Sequence, residues 1–414
     1  MRLRIRTFSV VIGLGLVGTV SAEVLTLQSA VEQSLTQHPR LAVEQFRSAA
    51  AQANVRHSSV GTKPELNLTV EDALGSGIYS SADSAQTTLS IAWVLEGGLL
   101  ETRESTALSE QAVISSEIKA KRLDVAAETA ARFMQALLLQ QRSELVTAMV
   151  KLSGQTLDQI QRRINIGQAA NVDALRAKAQ LEEARLLQDD IEHEIRVAYR
   201  ELATTMGDPE TGFQRVSGNL SQLGKPVKFE QLAQSLDSNP GLAILNNRKR
   251  LAESRLALTK AEARSRWKFS TGVRHYALED DVAMVAGVTL PLGGERRNRN
   301  AIESAALQVQ ASAAETEAQR LELTTQLYKL HEQWLHALHV NESLQTNILP
   351  LLRQSLRETQ RAYQRGQATY QMLNDVQSEL LSAEGRLLDI QHRAHLNRIE
   401  IERLTGAPLN GLTP

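Results

Sequence analysis

The chain contains no cysteine among its 414 residues. This absence excludes disulfide bonds, thiolate metal sites, a cysteine nucleophile and a lipid-modified N-terminal cysteine. Aromatic residues are also scarce, at 4 %. A compact globule usually packs around Phe, Tyr and Trp, whereas long helices pack through Ala and Leu, which dominate here with Gln, Glu and Arg. The composition therefore favours long helices.

The chain also lacks a charge excess of either sign, because 46 Lys and Arg balance 47 Asp and Glu. Proteins that bind nucleic acid usually carry a basic excess, so we expect no nucleic-acid partner. The sequence contains no G-x-S-x-G, H-E-x-x-H or phosphate-binding-loop motif. We therefore predict that the protein is not an enzyme and uses no cofactor.

Only one hydrophobic run is marked, the stretch "FSVVIGLGLVGTV" near the N-terminus. It follows three arginines in "MRLRIR", precedes "SA", and is too short to span a bilayer as a helix. This order predicts a secretory signal peptide over residues 1–22, cleaved after Ala22, so that the mature chain is exported. An N-terminal membrane anchor is the alternative. No later segment is apolar enough for a membrane helix.

The rest of the sequence repeats itself. A shift of 199 positions aligns residues 161–209 with 360–408 without a gap, and a shift of 201 places Pro39 on Pro240. We interpret this as an internal duplication, with chance similarity between two Ala- and Leu-rich helices as the alternative. The predicted units are a first repeat at 23–209, a connector at 210–226, a second repeat at 227–408 and a C-terminal tail at 409–414.

Each repeat is expected to contain a helix, two strands and a long helical hairpin. The first helix is predicted to start near Leu25 and its counterpart near Val227. Period-2 alternation predicts the strands, and apolar spacings of 3 and 4 predict a coiled-coil seam in the hairpins. The predicted strands are 64–74 and 86–95 in the first repeat and 267–278 and 281–291 in the second, and the predicted hairpins are 99–208 and 295–406.

Glycine marks the reversal of each hairpin, in "INIGQAANVD" and "AYQRGQATYQ". A glycine inside a helix costs about 1 kcal/mol relative to alanine, so we interpret Gly167 and Gly366 as left-handed C-terminal caps. The predicted tips are 167–171 and 366–370. A first hairpin helix of about 65 residues would be roughly 100 Å long. Pro350 predicts a kink in the matching helix of the second hairpin.

The predicted strands are too few to close a barrel within one chain. Apolar residues alternate along them, with Leu89, Ile91 and Trp93 on one face of the second strand. An open four-stranded sheet cannot lie alone in hydrocarbon, because its edge groups would lack hydrogen-bond partners. We therefore expect several chains to share one membrane barrel. The alternative is two hairpins packed on helices in a soluble protein.

The residues described so far resemble the outer-membrane efflux proteins of the TolC type over essentially the whole mature chain. The resemblance is carried by "LTLQSAVEQSLTQHPRL", by the duplication, by the strand pairs and by the hairpin tips. Three further stretches are similar to the outer-membrane component of heavy-metal exporters of the resistance-nodulation-division (RND) class. These stretches are "KPELNLTVEDALGSG", "VLEGGLLETR" and "LPLGGERRNRN".

The resemblance implies a mainly α fold with a small transmembrane β part. Three chains would form a homotrimer, with a twelve-stranded β-barrel in outer-membrane lipid and a long α-helical barrel in the periplasm. Its periplasmic tip would meet an adaptor (membrane fusion) protein that links it to an inner-membrane RND transporter. The protein would passively conduct substrate, with heavy-metal cations as one candidate and drug efflux or type I protein secretion as alternatives. A soluble periplasmic coiled-coil scaffold or adaptor is the alternative of a different class.

The resemblance also implies a site at the hairpin tips. Acidic residues that follow each tip glycine would ring the closed entrance, and the matching residues are Asp173 and Asp375. Met372 departs from the family pattern, which implies a weaker ring. Carboxylates near a helix N-terminus are also favourable without any gate, which is the alternative. The implied turn and adaptor-contact residues are Gly167, Gln168, Ala169, Gly366, Gln367 and Ala368.

Two histidine pairs have a spacing that would allow them to share a metal ion. They are His336 with His339 and His392 with His395, each three residues apart on a predicted helix. No cysteine or tight carboxylate cluster joins either pair. We therefore interpret both as parts of polar helix faces and predict no metal site.

Overall fold

The computed structural model describes residues 23–208, 210 and 212–407. The predicted signal peptide at 1–22 and the tail at 409–414 lie outside the described residues. The chain is mainly helical. Its α-helices are α1 (Leu27–Gln37), α2 (Pro39–Ser58), α3 (Leu99–Asn165), α4 (Asn171–Thr205), α5 (Phe229–Ser235), α6 (Pro240–Glu262), α7 (Gly294–Ser343), α8 (Leu349–Gln364) and α9 (Tyr370–Thr405).

The described strands form two separate sheets. They are β1 (Glu23–Leu25), β2 (Glu65–Glu71), β3 (Gln86–Val94), β4 (Phe213–Val216), β5 (Lys268–Tyr276) and β6 (Asp281–Thr289). The larger sheet is antiparallel with the order β2-β3-β5-β6, so each half of the chain contributes one hairpin to it. Both outer strands, β2 and β6, end the sheet and leave an open edge on each side.

The small sheet was not expected from the sequence. Leu25 is the last residue of β1 rather than the start of a helix, and α1 begins at Leu27. β1 pairs in parallel with β4, which lies inside the segment expected to be a connector. Strands of three and four residues are too short for an alternating pattern to distinguish them from a loop.

The long helices form a layer whose order matches that of the larger sheet. α3 contacts α2 and α4 on one side and α6 and α9 on the other, and α6 and α9 in turn contact α7. α8 continues α7 and contacts α9. The layer therefore ends with α2 and α4 at one edge and with α7 and α8 at the other.

The two hairpins begin with helices of unusual length. α3 has 67 residues and is therefore about 100 Å long. The matching helix of the second hairpin is interrupted by a π-helical segment, Leu344–Ile348, between α7 and α8. Pro350 lies just after this segment, in the first turn of α8. Proline has no N–H to donate, and its ring would clash with the preceding turn of a regular helix. The wider π turn accommodates Pro350.

Three buried clusters hold the helices together. Phe133, Leu137 and Leu202 belong to a cluster that joins α1, α3 and α4. Leu327 and Trp334 belong to a second cluster between α6, α7 and α9. The third cluster lies at the far ends of the hairpins. The first two clusters share one stretch of α9, with Ile399 in the first and Ile401 in the second, whereas the third lies apart at the tips. The buried residues therefore form no single globular centre.

Candidate functional site: the hairpin tips and the two-faced sheet

Both hairpins reverse through the same backbone turn. Gly167 has φ of 73° and Gly366 has φ of 76°, a left-handed conformation that glycine adopts without a steric penalty. In each turn the amide of the residue after the glycine donates to the carbonyl five residues back, at 2.8 Å. This bond pattern is the Schellman motif, which satisfies the last carbonyls of a helix.

Arg163 connects the two tips across 200 residues of sequence. Its Nη1 donates to the backbone oxygen of Tyr363, and its Nη2 donates to the oxygen of Gln168 at 3.2 Å. The guanidinium carbon lies 4.6 Å from the centroid of the Tyr363 ring, a cation–π arrangement. Sequence reasoning missed Arg163, because its counterpart in the second repeat is Ala362 and the repeat pattern did not mark it.

Two tyrosines form the apolar contact beneath the tips. Tyr363 is 4 % exposed and Tyr370 is 5 % exposed, and they pack with Ile160 and Leu373. Burial raises the pKa of both phenols, an effect that the charge of Arg163 partly opposes at Tyr363 and that the charge of Asp173 reinforces at Tyr370. Both tyrosines are therefore neutral at physiological pH, and the contact is held by packing and by Arg163.

Asp173 and Asp375 occupy different positions in the two hairpins. Asp173 is the third residue of α4 and is partly buried beside the tyrosine pair. Asp375 is the sixth residue of α9, is exposed, and accepts a bond from Gln371 Nε2 at 2.7 Å. Under the 199-residue shift the counterpart of Asp375 is Arg176. Among the described residues, no hydrogen bond or ion pair joins the two carboxylates.

The surroundings of the two carboxylates are basic. Over residues 160–178 and 359–377 the chain has six basic residues and two acidic ones, a formal charge of +4. The basic residues are Arg162, Arg163, Arg176, Lys178, Arg361 and Arg365. Only a ring in which the two aspartates face the pore and the basic side chains point away from it would present a negative field to an entering ion.

The larger sheet has one apolar and one polar face. The apolar face is strongly exposed, reaching 85 % at Met284, whereas Thr88 and Ala92 on the polar face are 6 % and 2 % exposed. From the strand register, the apolar face carries Leu66, Leu68, Val70, Leu89, Ile91, Trp93, Phe269, Val273, Val282, Met284, Ala286 and Val288. A face of this composition is suited to lipid.

Aromatic residues lie at the end of the apolar face nearest the helices. Trp93 stacks on Phe269 with ring centroids 6.4 Å apart, and Phe269 stacks on Trp267 at 6.2 Å. Trp93 and Trp267 are 40 % and 48 % exposed. Membrane β-barrels carry aromatic belts at the level of the lipid headgroups, and this cluster has the composition of such a belt.

The two histidine pairs differ from each other, and the interpretation as a polar helix face is wrong for His392 and His395. His336 and His339 are exposed, as expected for a polar helix face. His395 is instead buried, and its Nε2 lies 3.1 Å from the oxygen of Leu220 in the segment that covers α9. Burial, together with the neighbouring His395, lowers the pKa of His392 to about 4. This pair is therefore neutral and structural rather than part of a solvated face.

Two features are absent from the described ranges. No helix within residues 23–407, leaving out 209 and 211, combines the length and the hydropathy needed to cross a membrane. Over the same residues, no group of three or more His, Asp or Glu side chains is arranged to hold a metal ion.

Comparison with known proteins places the chain in a family. The model of the outer membrane efflux protein family matches residues 30–208 and 254–407. The cobalt-zinc-cadmium resistance protein CzcC of Cupriavidus metallidurans is 22 % identical over 382 residues, which cover 92 % of this chain and 90 % of CzcC. The nickel-cobalt-cadmium resistance protein NccC of Alcaligenes xylosoxydans xylosoxydans is 22 % identical over 307 residues, covering 73 % and 68 %.

Among solved structures, CusC superimposes with a TM-score of 0.77 at 15 % identity, over 92 % of both chains. At this identity the match establishes the fold, which is that of the TolC-like channels. The family model covers most of the chain, including both strand pairs and both hairpin tips. The chain therefore belongs to the outer membrane efflux protein family.

Proposed function

We propose that three copies of this chain close into one continuous duct through the outer membrane and the periplasm. The four strands of each copy form one third of a twelve-stranded barrel, and the four helical rows of each copy form one third of an α-helical tunnel. Substrate expelled by an inner-membrane pump passes through this duct without covalent chemistry.

The observation that carries the proposal is the pair of open edges on each chain. β2 and β6 end the sheet, and α2 with α4 and α7 with α8 end the helical layer in the same order. Unpaired strand edges are not tolerated in hydrocarbon, so β2 of one copy must pair with β6 of another. The helical edges carry exposed apolar side chains that a neighbouring copy would cover, namely Phe46, Leu186, Leu321 and Leu351. Such a head-to-tail contact closes into a ring of three copies when each contact rotates the next copy by one third of a turn.

The identical tip turns and the repeated order of elements support the proposal that the chain arose by duplication of one unit. Each unit would contribute two strands to the barrel and two helical rows to the tunnel. Three copies then give twelve of each, which is the assembly that the family resemblance implies.

The tips supply the proposed gate and the proposed partner contact. Arg163 and the tyrosine pair hold the two hairpins of one chain together, so a closed entrance is stable without ligand. Asp173 and Asp375 are the proposed acidic gate residues. Gln168 and Gln367, at the apices of the two turns, are exposed and available to a periplasmic adaptor that links the duct to an RND transporter.

Heavy-metal cations are the proposed cargo, because both curated relatives are named for resistance to cobalt and cadmium, with zinc or nickel. Drugs and secreted proteins remain the alternative cargoes. A strain that lacks the gene should lose tolerance to Co²⁺, Zn²⁺ or Cd²⁺ and regain it with the wild-type gene. Loss of drug tolerance with unchanged metal tolerance would contradict the proposed cargo.

The shared barrel can be tested by cross-linking β2 of one copy to β6 of another. One cysteine on the apolar face of β2, at Leu68, and one on β6, at Met284, would be the only thiols in the chain. A bifunctional thiol reagent should link copies into covalent trimers when both substitutions are present. The single variants serve as controls and should give no covalent species larger than a dimer. Covalent linkage only within one chain would overturn the shared barrel.

A further inference from the structure

The polar face of the larger sheet carries its charges in pairs that reach over a strand. Near the turn between β5 and β6, Arg274 on β5 donates to Glu71 on β2 at 3.0 Å. Near the helices, Lys268 on β5 donates to Glu65 on β2 at 2.5 Å. Because β3 lies between β2 and β5, both pairs lie across β3. The two levels are six residues apart, about 20 Å along the strand.

The guanidinium of Arg274 is fixed by more than its ion pair. Its Nε donates to Thr88 Oγ1 at 2.8 Å, and its Nη1 donates to Gln86 Oε1 at 3.1 Å. Three acceptors on two strands therefore fix the position of the planar group. Thr88 is 6 % exposed, so one of these bonds is shielded from water.

The polar face that carries Arg274 includes a position that requires glycine. At Gly272, two residues before Arg274 on the same face, a Cβ would lie 2.6 Å from the Ser90 side chain. Only glycine permits this approach, and such positions give a sheet its curvature. Within the proposed barrel this polar face lines the lumen, so the inference below rests on the proposed function.

Three carboxylates, including that of Glu71, lie at the same end of the sheet as Arg274. Asp72, which follows β2, accepts from Gln86 Nε2 at 2.8 Å, and Asp281 begins β6 on the same face. In the half of the four strands nearest the β5–β6 turn, the register places one cationic side chain on the polar face, that of Arg274. Without it, Glu71, Asp72 and Asp281 of every copy would face the lumen unbalanced.

We propose that Arg274 determines the ion specificity of the outer end of the duct, by preventing its carboxylates from retaining divalent cations. A ring of carboxylates in a narrow pore binds cations, and a conducting pore must bind its cargo weakly enough to release it. The fixed guanidinium cancels the charge of Glu71 and lowers the negative potential at the neighbouring aspartates. Divalent cations therefore leave the barrel instead of blocking it.

The test is divalent-cation block in planar bilayers that contain the full mature protein. The K⁺ current of single channels is recorded while Cd²⁺ is added on the side of the β5–β6 turn. For Arg274→Gln we expect the Cd²⁺ concentration that halves the current to fall by roughly tenfold or more, because Glu71 of each of the three copies loses its paired positive charge. Arg274→Lys keeps the charge with fewer hydrogen bonds and should show a smaller fall.

The matched control removes both partners. In Arg274→Gln/Glu71→Gln the pair is replaced by neutral side chains of similar size, and the half-blocking concentration should return toward that of the wild type. Block of Arg274→Gln at the wild-type concentration would overturn the inference. So would block of the double variant that stays as strong as in Arg274→Gln, because Glu71 would then not be the binding group.

Failure of the inference is distinguishable from failure of the proposed function. A wild-type protein that conducts no K⁺ at all would refute the proposed duct and, with it, the inference about Arg274. A conducting wild type with unchanged block in Arg274→Gln would leave the duct intact and refute only the role of Arg274. Arg274→Lys covers the case in which Arg274→Gln does not assemble, since it preserves the ion pair.

Discussion

Replacing Arg163 by methionine should loosen the closed entrance of the duct. Methionine retains much of the length and apolar volume of arginine but donates no hydrogen bonds. The substitution removes the bonds to the oxygens of Tyr363 and Gln168 and the cation–π contact with the Tyr363 ring. The apolar packing of Tyr363 and Tyr370 remains in place, so the hairpins themselves should still fold.

The size of the effect follows from the contacts that are lost. Hydrogen bonds that involve a charged group contribute about 1.5–3 kcal/mol each when buried. Arg163 is only partly buried, so we take the combined loss as about 2 kcal/mol after solvent screening. Since ~1.4 kcal/mol corresponds to a factor of ten, the ratio of open to closed tips should rise by roughly thirtyfold in each chain.

Single-channel recording and spin labelling can detect this shift. The mean conductance and open probability of Arg163→Met should exceed those of the wild type. A spin label at Gln168→Cys, the sole thiol in the chain, gives one distance between symmetric copies, and this distance should increase. Arg162→Met, at the exposed neighbouring residue, is the control and should behave as wild type. Equal conductance and equal distances in all three proteins would refute the reasoning.

Three further changes test separate parts of the account. Gly167→Ala should destabilise the hairpin by about 1 kcal/mol because φ is 73° there, whereas Gly154→Ala, inside α3 with open space around the added Cβ, should stabilise it by about 0.5–1 kcal/mol. The temperature at which the detergent-solubilised assembly dissociates would measure both effects. Shifts of the same sign in the two variants would contradict the interpretation of Gly167 as a helix cap. The pKa of His392 is about 4 in the fold against 6.5 when unfolded, so the unfolded chain binds more protons between these values. Stability should therefore fall as pH decreases from 6.5 toward 4, and His392→Gln should flatten that slope; an unchanged slope would exclude His392 as its source. Asp173→Asn should weaken block by divalent cations added at the tip end more than Asp375→Asn does, because Asp375 is exposed and held by Gln371; the reverse order would contradict a gate at Asp173.

The features that sequence predicted well are those with a long, regular pattern. The 3- and 4-residue spacing is sustained over the 67 residues of α3, and the glycines of the tips are needed for a left-handed turn that alanine would strain. The two strand pairs were visible because their alternation lasts seven to nine residues in each strand. Local physics was sufficient in these cases.

The features that sequence did not predict depend on contacts between distant segments. Arg163 and Tyr363 are 200 residues apart, and nothing local distinguishes Arg163 from the neighbouring Arg162. The burial of His395 depends on the segment around Leu220, which covers α9. The bond from Arg274 to Glu71 also requires the order of the strands, which brings residues 203 positions apart together.

The central claim is that this chain completes its sheet only by pairing with other copies in the outer membrane. The most direct measurement is the mass of the cross-linked, detergent-extracted protein from separated membranes. The account predicts an outer-membrane species containing three copies of a chain whose full-length mass is 45.6 kDa. A monomer or dimer that is released from the periplasm without detergent would contradict the account, because the apolar face and both edges of the sheet would then have to be stable in water.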